Sequence, residues 1–214
     1  METIKNTPVI TYAESTPNPS AMKFVANKII IENSLPLEFL NPSDAKSSPL
    51  AAELFKFPFV KSVFISANYI TLFKTDAVEW NDVTLELREF LREYLQAHPK
   101  APPQPSPLGR ENISSPDGGG QEGAEDLGEA SVDHTVPQNE IEQKIIAVLE
   151  QYVRPAVEQD GGMIVFHSYK DGVVSLLMRG ACSGCPSSAV TLKAGIEALL
   201  KKFVPEVKEV RSGL

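Results

Sequence analysis

The two cysteines of this 214-residue chain lie three positions apart, in the stretch Gly180-Ala181-Cys182-Ser183-Gly184-Cys185-Pro186. Two thiolates at this spacing can face one metal ion or cluster, because the turn between them brings both side chains to the same side of the backbone. The same spacing also serves redox chemistry, in which a pair of thiols is oxidised and reduced. Gly184 can adopt positive φ and lets backbone N–H groups approach the sulfurs. The pattern predicts that Cys182 and Cys185 bind a metal or form a redox pair.

A helix is predicted directly after the cysteines. Pro186 suits a first helical turn, and Ser187 and Ser188 are capping residues. Apolar residues then follow at helical spacing, at Ala189, Leu192, Ile196, Leu199 and Phe203. The N-terminus of a helix carries partial positive charge, so we expect it to lower the pKa of both thiols from about 8.5. A lowered pKa would favour the thiolate, which is the metal-binding form.

The elements that position the cysteine loop are expected within residues 138–214. A helical stripe opens this region, and Pro155 should kink or interrupt it. The pair Asp171-Gly172 is typical of a tight hairpin turn, and the second strand of that hairpin leads into the cysteine loop. The predicted strands are 163–169, 173–178 and a final edge strand at 207–210. The order helix, hairpin, cysteine loop, helix and strand indicates a small α+β domain.

Residues 1–98 predict a separate α+β domain without a catalytic arrangement. Apolar or alternating runs bounded by turn residues indicate strands at 9–12, 22–25, 29–31, 60–66 and 69–74. A short helix is predicted from Pro49 to Phe55. A longer helix closes the domain, with Asn81 or Asp82 as its cap and a buried stripe from Val83 to Leu95.

Residues 99–137 differ sharply in composition from both flanking regions. Five prolines lie between Pro99 and Pro107, three consecutive glycines follow at 118–120, and seven acidic residues stand against two basic ones. This segment therefore holds five of the eight net negative charges of the chain. Such a composition cannot bury enough apolar surface to fold, so it predicts a disordered linker between domains that move independently. The expected fold class is two small α+β domains joined by a disordered Pro/Gly/acidic linker.

Composition also limits the compartment and the partners. The chain contains no apolar run long enough to span a bilayer, and its first residues lack the pattern of a signal or transit peptide. Two cysteines are too few for a disulfide framework. The sequence has no basic stripe of the kind that binds nucleic acid. We therefore expect a cytoplasmic protein that binds neither nucleic acid nor membrane.

Four motifs of the second domain occur together: Asp160-Gly161-Gly162, the Asp171-Gly172 hairpin, the cysteine stretch from Gly180 to Ser188, and Pro205-Glu206-Val207-Lys208. Over about Glu140 to Val210 they closely resemble the C-terminal domain of NifU-like proteins, the Nfu iron-sulfur scaffolds. Met163 departs from the family pattern, since an acidic residue commonly follows Asp-Gly-Gly there. This departure does not touch the cysteines.

Four motifs of the first domain resemble the N-terminal domain of Nfu proteins: Thr16-Pro17-Asn18-Pro19, Met22-Lys23-Phe24, Ser48-Pro49-Leu50-Ala51 and Val60-Lys61-Ser62-Val63-Phe64. The two resemblances together imply an iron-sulfur cluster scaffold or carrier and not an enzyme. They imply that a 4Fe-4S cluster is assembled, received from upstream assembly proteins and delivered to apo-iron-sulfur proteins. They also imply that the N-terminal domain helps partner contact.

The number of available ligands predicts a dimer. A 4Fe-4S cluster normally takes four cysteine thiolates, and this chain supplies Cys182 and Cys185. Two chains related by a two-fold axis satisfy the count if they share the cluster. We expect a largely monomeric apo form and a cluster-bridged homodimer.

Three other interpretations of the cysteine pair stay open. A thioredoxin-like dithiol oxidoreductase also places such a pair after a strand and at a helix N-terminus, although it needs a longer alternating strand and helix pattern than the region after Pro137 provides. Zinc bound by the same thiolates from two chains would form a structural dimer. Two buried structural cysteines are the least favoured interpretation, because Ser183-Gly184 between flanking Gly180 and Pro186 is typical of a loop.

Overall fold

The computed structural model of the chain describes residues 8–31, 36–98, 137–183 and 186–213, with only the backbone described for 186–189 and 213. The predicted linker up to residue 136 and Cys185 lie outside these ranges. The described residues form two α+β domains, which confirms the expected fold class. No helix within the described ranges has the length and apolar character needed to cross a membrane.

The first domain is a five-stranded antiparallel sheet covered on one face by helices. Its strands follow the spatial order β1-β2-β5-β4-β3. The strands are β1 (Thr11–Ser15), β2 (Ala21–Ala26), β3 (Leu37–Phe39), β4 (Val60–Ile65) and β5 (Tyr69–Lys74). The helices are a 3-10 turn (Asp44–Ser47), α1 (Pro49–Leu54) and α2 (Trp80–Ala97). Helix α2 buries Val83, Leu87, Leu91 and Leu95, the positions that helical spacing predicts.

The structure differs from the sequence prediction at three places in this domain. The strand at 29–31 does not form: Ile30 and Ile31 are buried, but their N–H groups both donate to the Ala67 carbonyl at the β4–β5 turn. Strand β3, which was not predicted, pairs with the edge of β4 instead. Helix α2 begins before the predicted caps, with Glu79 as its N-cap residue. Asp82 therefore lies in the first turn, where its negative charge complements the helix dipole.

The second domain is a three-stranded sheet with helices on one face. Strands β6 (Gly162–Lys170) and β7 (Val173–Gly180) are antiparallel, and β8 (Glu209–Gly213) is parallel to β7. The helices are α3 (Glu140–Val148), a π-helical turn (Leu149–Val153), α4 (Arg154–Gln159) and α5 (Pro186–Phe203). The predicted interruption at Pro155 is confirmed, because the π-helical turn ends just before it. The hairpin at Asp171-Gly172 is also confirmed, with φ of 54° and 90° as a primed turn requires.

The first half of strand β6, from Gly162 to Phe166, is buried on both faces. Ile164 and Phe166 pack against the helices of the second domain, whereas Met163 and Val165 pack with Phe64 of the first domain. A continuous apolar run is typical of a strand that is covered on both sides. The sheets of the two domains therefore face each other in this structure, a contact that the expectation of independently moving domains did not include.

Candidate functional site

Cys182 lies in a tight turn between strand β7 and helix α5, as the sequence predicts. The chain leaves β7 through Gly180, whose φ of +61° favours glycine. The turn is closed at Ser183, whose backbone N–H and hydroxyl both donate to the Gly180 carbonyl, at 2.9 and 2.8 Å. Cys185 lies outside the described residues, so its assignment to the site stays a prediction.

The sulfur of Cys182 packs directly on the backbone of Gly162. A Cβ atom added to Gly162 would lie 2.5 Å from Cys182 Sγ and 2.9 Å from the Arg179 carbonyl oxygen, which leaves no room for a side chain. The neighbouring Gly161 has a φ of +79°. Asp160-Gly161-Gly162 contributed to the family resemblance, but this contact was not predicted. The signal was the pair of adjacent glycines directly before a strand.

Burial, together with the smaller effect of the nearby Asp160 carboxylate, raises the pKa of the Cys182 thiol to about 12. The predicted lowering of this pKa is therefore wrong. The side chain is 5% exposed and belongs to the apolar core of the second domain, where a thiolate loses its hydration. Desolvation outweighs the helix N-terminus in this conformation, and the thiol is protonated at neutral pH. Metal binding would release that proton.

Alkaline pH is expected to destabilise the apo protein through Cys182. The thiol ionises near 8.5 in an unfolded chain and near 12 in the fold, so its contribution to stability is complete below about pH 8.5 and is lost as the pH rises toward 12. Between about pH 8 and about pH 10 this loss is about 2 kcal/mol. Urea unfolding of the apo protein and of Cys182→Ser across this range measures it. If the free energy of unfolding changed equally with pH in the two proteins, that result would contradict the burial of the thiol.

Three side chains of the first domain donate hydrogen bonds to backbone carbonyls around Cys182. Asn18 Nδ2 donates to the Ala181 carbonyl at 3.3 Å, and Tyr69 Oη donates to the Gly162 carbonyl at 3.1 Å. Thr71 Oγ1 donates to the Gly161 carbonyl at 2.7 Å. The Thr16-Pro17-Asn18-Pro19 motif resembles the Nfu N-terminal domain, but the sequence did not place any first-domain residue at the cysteine loop.

A carboxylate of the first domain also reaches this loop. Glu38 Oε1 accepts a hydrogen bond from the Gly180 N–H at 3.0 Å. Burial raises the pKa of Glu38, although the Gly180 N–H and the charge of Arg179 both act in the opposite direction. Arg179 directly precedes Gly180, the last residue of β7. In this conformation its charge favours the Glu38 carboxylate.

An open cavity of about 590 Å³ lies beside the cysteine loop. Ser183 contributes one edge of it, and the remaining lining comes from the first domain, including Asn18, Lys61, Lys74 and Asp76. The lining combines residues of both charges with the apolar side chains of Leu40 and Phe73. The cavity therefore opens to solvent beside the loop that carries Cys182.

No group of three or more His, Cys, Asp and Glu side chains in the described part of the chain could hold a metal ion. His167, the histidine of β6, has an exposed side chain. Any metal or cluster at Cys182 therefore needs ligands from Cys185, from outside the described ranges or from another molecule.

The fold and the site define a class: a two-domain α+β protein whose cysteine pair lies between a hairpin and a helix of the second domain. Residues 10–98 match the family described as "Scaffold protein Nfu/NifU N terminal", and residues 145–211 match the "NifU-like domain". The chain belongs to the Nfu/NifU family of iron-sulfur cluster scaffold proteins.

Two relatives, from human and from Drosophila sechellia, agree with this assignment. The chain is 32% identical over 202 residues to the human protein "NFU1 iron-sulfur cluster scaffold homolog, mitochondrial", covering 92% of this chain and 69% of that protein. It is 35% identical over 197 residues to the protein of the same name from Drosophila sechellia, covering 92% of this chain and 62% of that protein. A solution structure of a NifU-like protein from Saccharomyces cerevisiae matches with a TM-score of 0.39 and 24% identity, over 45% of this chain and 86% of that one.

Proposed function

We propose that this chain carries a 4Fe-4S cluster between two copies of itself, bound by Cys182 and Cys185 of each, and passes it to apo-iron-sulfur proteins. The observation that carries the proposal is the position of Cys182, in a turn between β7 and α5, in a chain of this scaffold family. The spacing of three residues between Cys182 and Cys185 allows both thiolates to face the same cluster.

The ligand count supports a shared site. Four thiolates are the usual ligands of a 4Fe-4S cluster, and one chain has two cysteines. A two-fold dimer brings both pairs to one axis and supplies the four. In that arrangement the cluster is cargo that bridges the two chains, and its departure removes the bridge.

Transfer needs no change in redox state. Each exchange breaks one bond between iron and a sulfur of Cys182 or Cys185 and forms one to an acceptor sulfur. The acceptor thiol loses a proton, and the released thiolate gains one. Four such exchanges move the cluster, so we propose that apo-iron-sulfur proteins are the acceptors and that upstream assembly proteins are the donors. A cytoplasmic location stays a prediction, and the human and Drosophila relatives are named mitochondrial.

Anaerobic reconstitution with iron and sulfide, followed by size-exclusion chromatography, tests the proposal. We expect four irons and four sulfides per dimer, since that is the composition of one shared cluster. Cys182→Ser and Cys185→Ser should each abolish both the cluster and the dimer. Val190→Ser is a matched control, because Val190 lies in α5, a few residues after the cysteines, and its side chain is 68% exposed. This substitution should leave cluster loading unchanged.

Other results would contradict the proposal. A cluster-loaded monomer without an external ligand would exclude the shared site. An iron-free monomer with dithiol reductase activity would favour an oxidoreductase, although a buried Cys182 with a pKa of about 12 lacks the low-pKa nucleophile of that class. Zinc in place of iron would indicate a structural metal dimer.

A further inference from the structure

We infer that the first domain holds the cysteine loop in place, with Asn18, Tyr69 and Thr71 as positioning residues for Cys182. The inference rests on the proposed function, since it concerns the loop that would bind the cluster. Each of the three side chains donates to a carbonyl next to Cys182: Ala181 precedes it in the chain, and Gly161 and Gly162 form the wall beside it. The first domain therefore binds both the residue before Cys182 and the glycine pair beside its sulfur.

The three hydrogen bonds are largely shielded from water. Thr71 is fully buried, and Asn18 and Tyr69 are buried at 4% and 5% exposure. The Gly161 carbonyl also accepts from the Ala181 N–H at 3.2 Å, so the Thr71 hydroxyl adds a second bond at a point where β6 meets the cysteine loop. Buried hydrogen bonds of this kind restrict the geometry of the groups that they join.

An apolar contact between the two domains lies beside these hydrogen bonds. Val25, Phe64 and Tyr69 of the first domain form one buried cluster with Met163 and Val165 of the second. The Nfu resemblance implies an acidic side chain at the position of Met163. Here a carboxylate would be buried against the apolar groups of this cluster, which costs hydration energy. The methionine therefore fits a chain in which this face is covered by its own first domain.

The glycines of the loop fit this contact closely. A Cβ atom on Gly161 would lie 2.8 Å from Thr71 Oγ1, and a Cβ atom on Gly180 would lie 3.1 Å from Phe64 Cδ1. Both glycines have positive φ, so each serves the loop conformation and the close approach of the first domain. At the rim, Lys23 Nζ donates to the Gln159 carbonyl at 3.2 Å and pairs with Glu14 at 3.0 Å.

A reagent or a cluster reaches Cys182 only when the loop moves away from Gly162. If the first domain holds the loop, the removal of one buried hydrogen bond should raise the population of the open loop by about fivefold. Cluster loading and release would follow the same opening. Residues more than sixty positions away in sequence thus set the accessibility of the thiol.

The test measures alkylation of Cys182 by iodoacetamide at one fixed pH, in the full chain carrying Cys185→Ser so that one thiol is present. Thr71→Val and Tyr69→Phe keep the shape of the side chain and remove the donor. We expect each to raise the alkylation rate by about fivefold. Thr71→Ser, which restores the hydroxyl, should return the rate to that of the parent.

Matched controls separate positioning from general loss of stability. Thr84→Val removes a hydroxyl that donates to the Trp80 carbonyl within α2, and Tyr12→Phe changes an exposed tyrosine of β1. Both should leave the rate of Cys182 alkylation unchanged, even if they shift the unfolding temperature as much as Thr71→Val does. Unchanged rates for both Thr71→Val and Tyr69→Phe would overturn the inference, as would equal acceleration by Thr84→Val. Because alkylation uses no iron, its result is separate from that of reconstitution.

Discussion

Gly162→Ala is expected to abolish cluster loading and to destabilise the second domain by about 3 kcal/mol, at the upper end of the cost of overpacking. The added methyl group would meet Cys182 Sγ at 2.5 Å and two backbone atoms, the Arg179 carbonyl oxygen at 2.9 Å and the Cys182 nitrogen at 3.1 Å. The backbone atoms belong to paired strands and to the cysteine turn, so they cannot rotate away as a long side chain would. The sulfur must move, and with it the ligand geometry.

Iron content after reconstitution and the midpoint of urea unfolding measure these two effects. Gly195→Ala is the control: this glycine lies in α5, and a Cβ atom there would meet nothing within 4 Å. Alanine at that site should stabilise the helix by about 0.5–1 kcal/mol and leave iron loading unchanged. Normal loading of Gly162→Ala would show that the sulfur does not lie against this backbone.

Phe64→Ala is expected to lower the free energy of unfolding by about 3–5 kcal/mol, the usual cost of deleting a buried phenylalanine. Phe64 is fully buried between the two sheets, where it packs with Tyr69 and with Met163. The deletion leaves a cavity at the centre of the contact between the domains. The second domain should then unfold at lower denaturant concentration than the first, because the contact that couples them is weakened.

Circular dichroism and hydrogen exchange resolved by domain follow the two transitions. Phe203→Ala is the matched control, since that ring is 42% exposed at the end of α5 and stacks on Tyr152 at 5.0 Å. We expect it to cost less than about 1 kcal/mol and to leave the relation between the two transitions unchanged. A loss no larger for Phe64→Ala than for Phe203→Ala would mean that the face bearing Phe64 is open in solution.

The opposed influences on Cys182 explain why the direction of its pKa shift was mispredicted. A helix N-terminus contributes a local stabilisation of about 1 kcal/mol or less to a nearby negative charge. Burial removes the hydration of the thiolate, and the resulting pKa of about 12 shows that this loss is the larger influence here. The spacing of cysteines along a chain carries the first influence but gives no measure of the second.

The sequence by itself determined the features that depend on neighbouring residues. Alternating apolar runs predicted β4 and β5, helical spacing predicted α2 and α5, and Asp171-Gly172 predicted the hairpin that delivers the chain to Cys182. These features follow from local backbone preferences and from side-chain periodicity, both of which are written in a few adjacent residues. The cysteine spacing and the two domain resemblances similarly indicated a scaffold family.

Only the tertiary structure decided how the two domains meet and what surrounds the sulfur. The donors on the carbonyls of Gly161, Gly162 and Ala181 lie 90, 93 and 163 positions from them in sequence. Both faces of strand β5 carry a mixture of apolar and polar residues. Its pattern therefore predicts a strand but does not show what covers the face that bears Tyr69 and Thr71. The covering of that face depends on contacts across a long segment, and no local preference encodes such contacts.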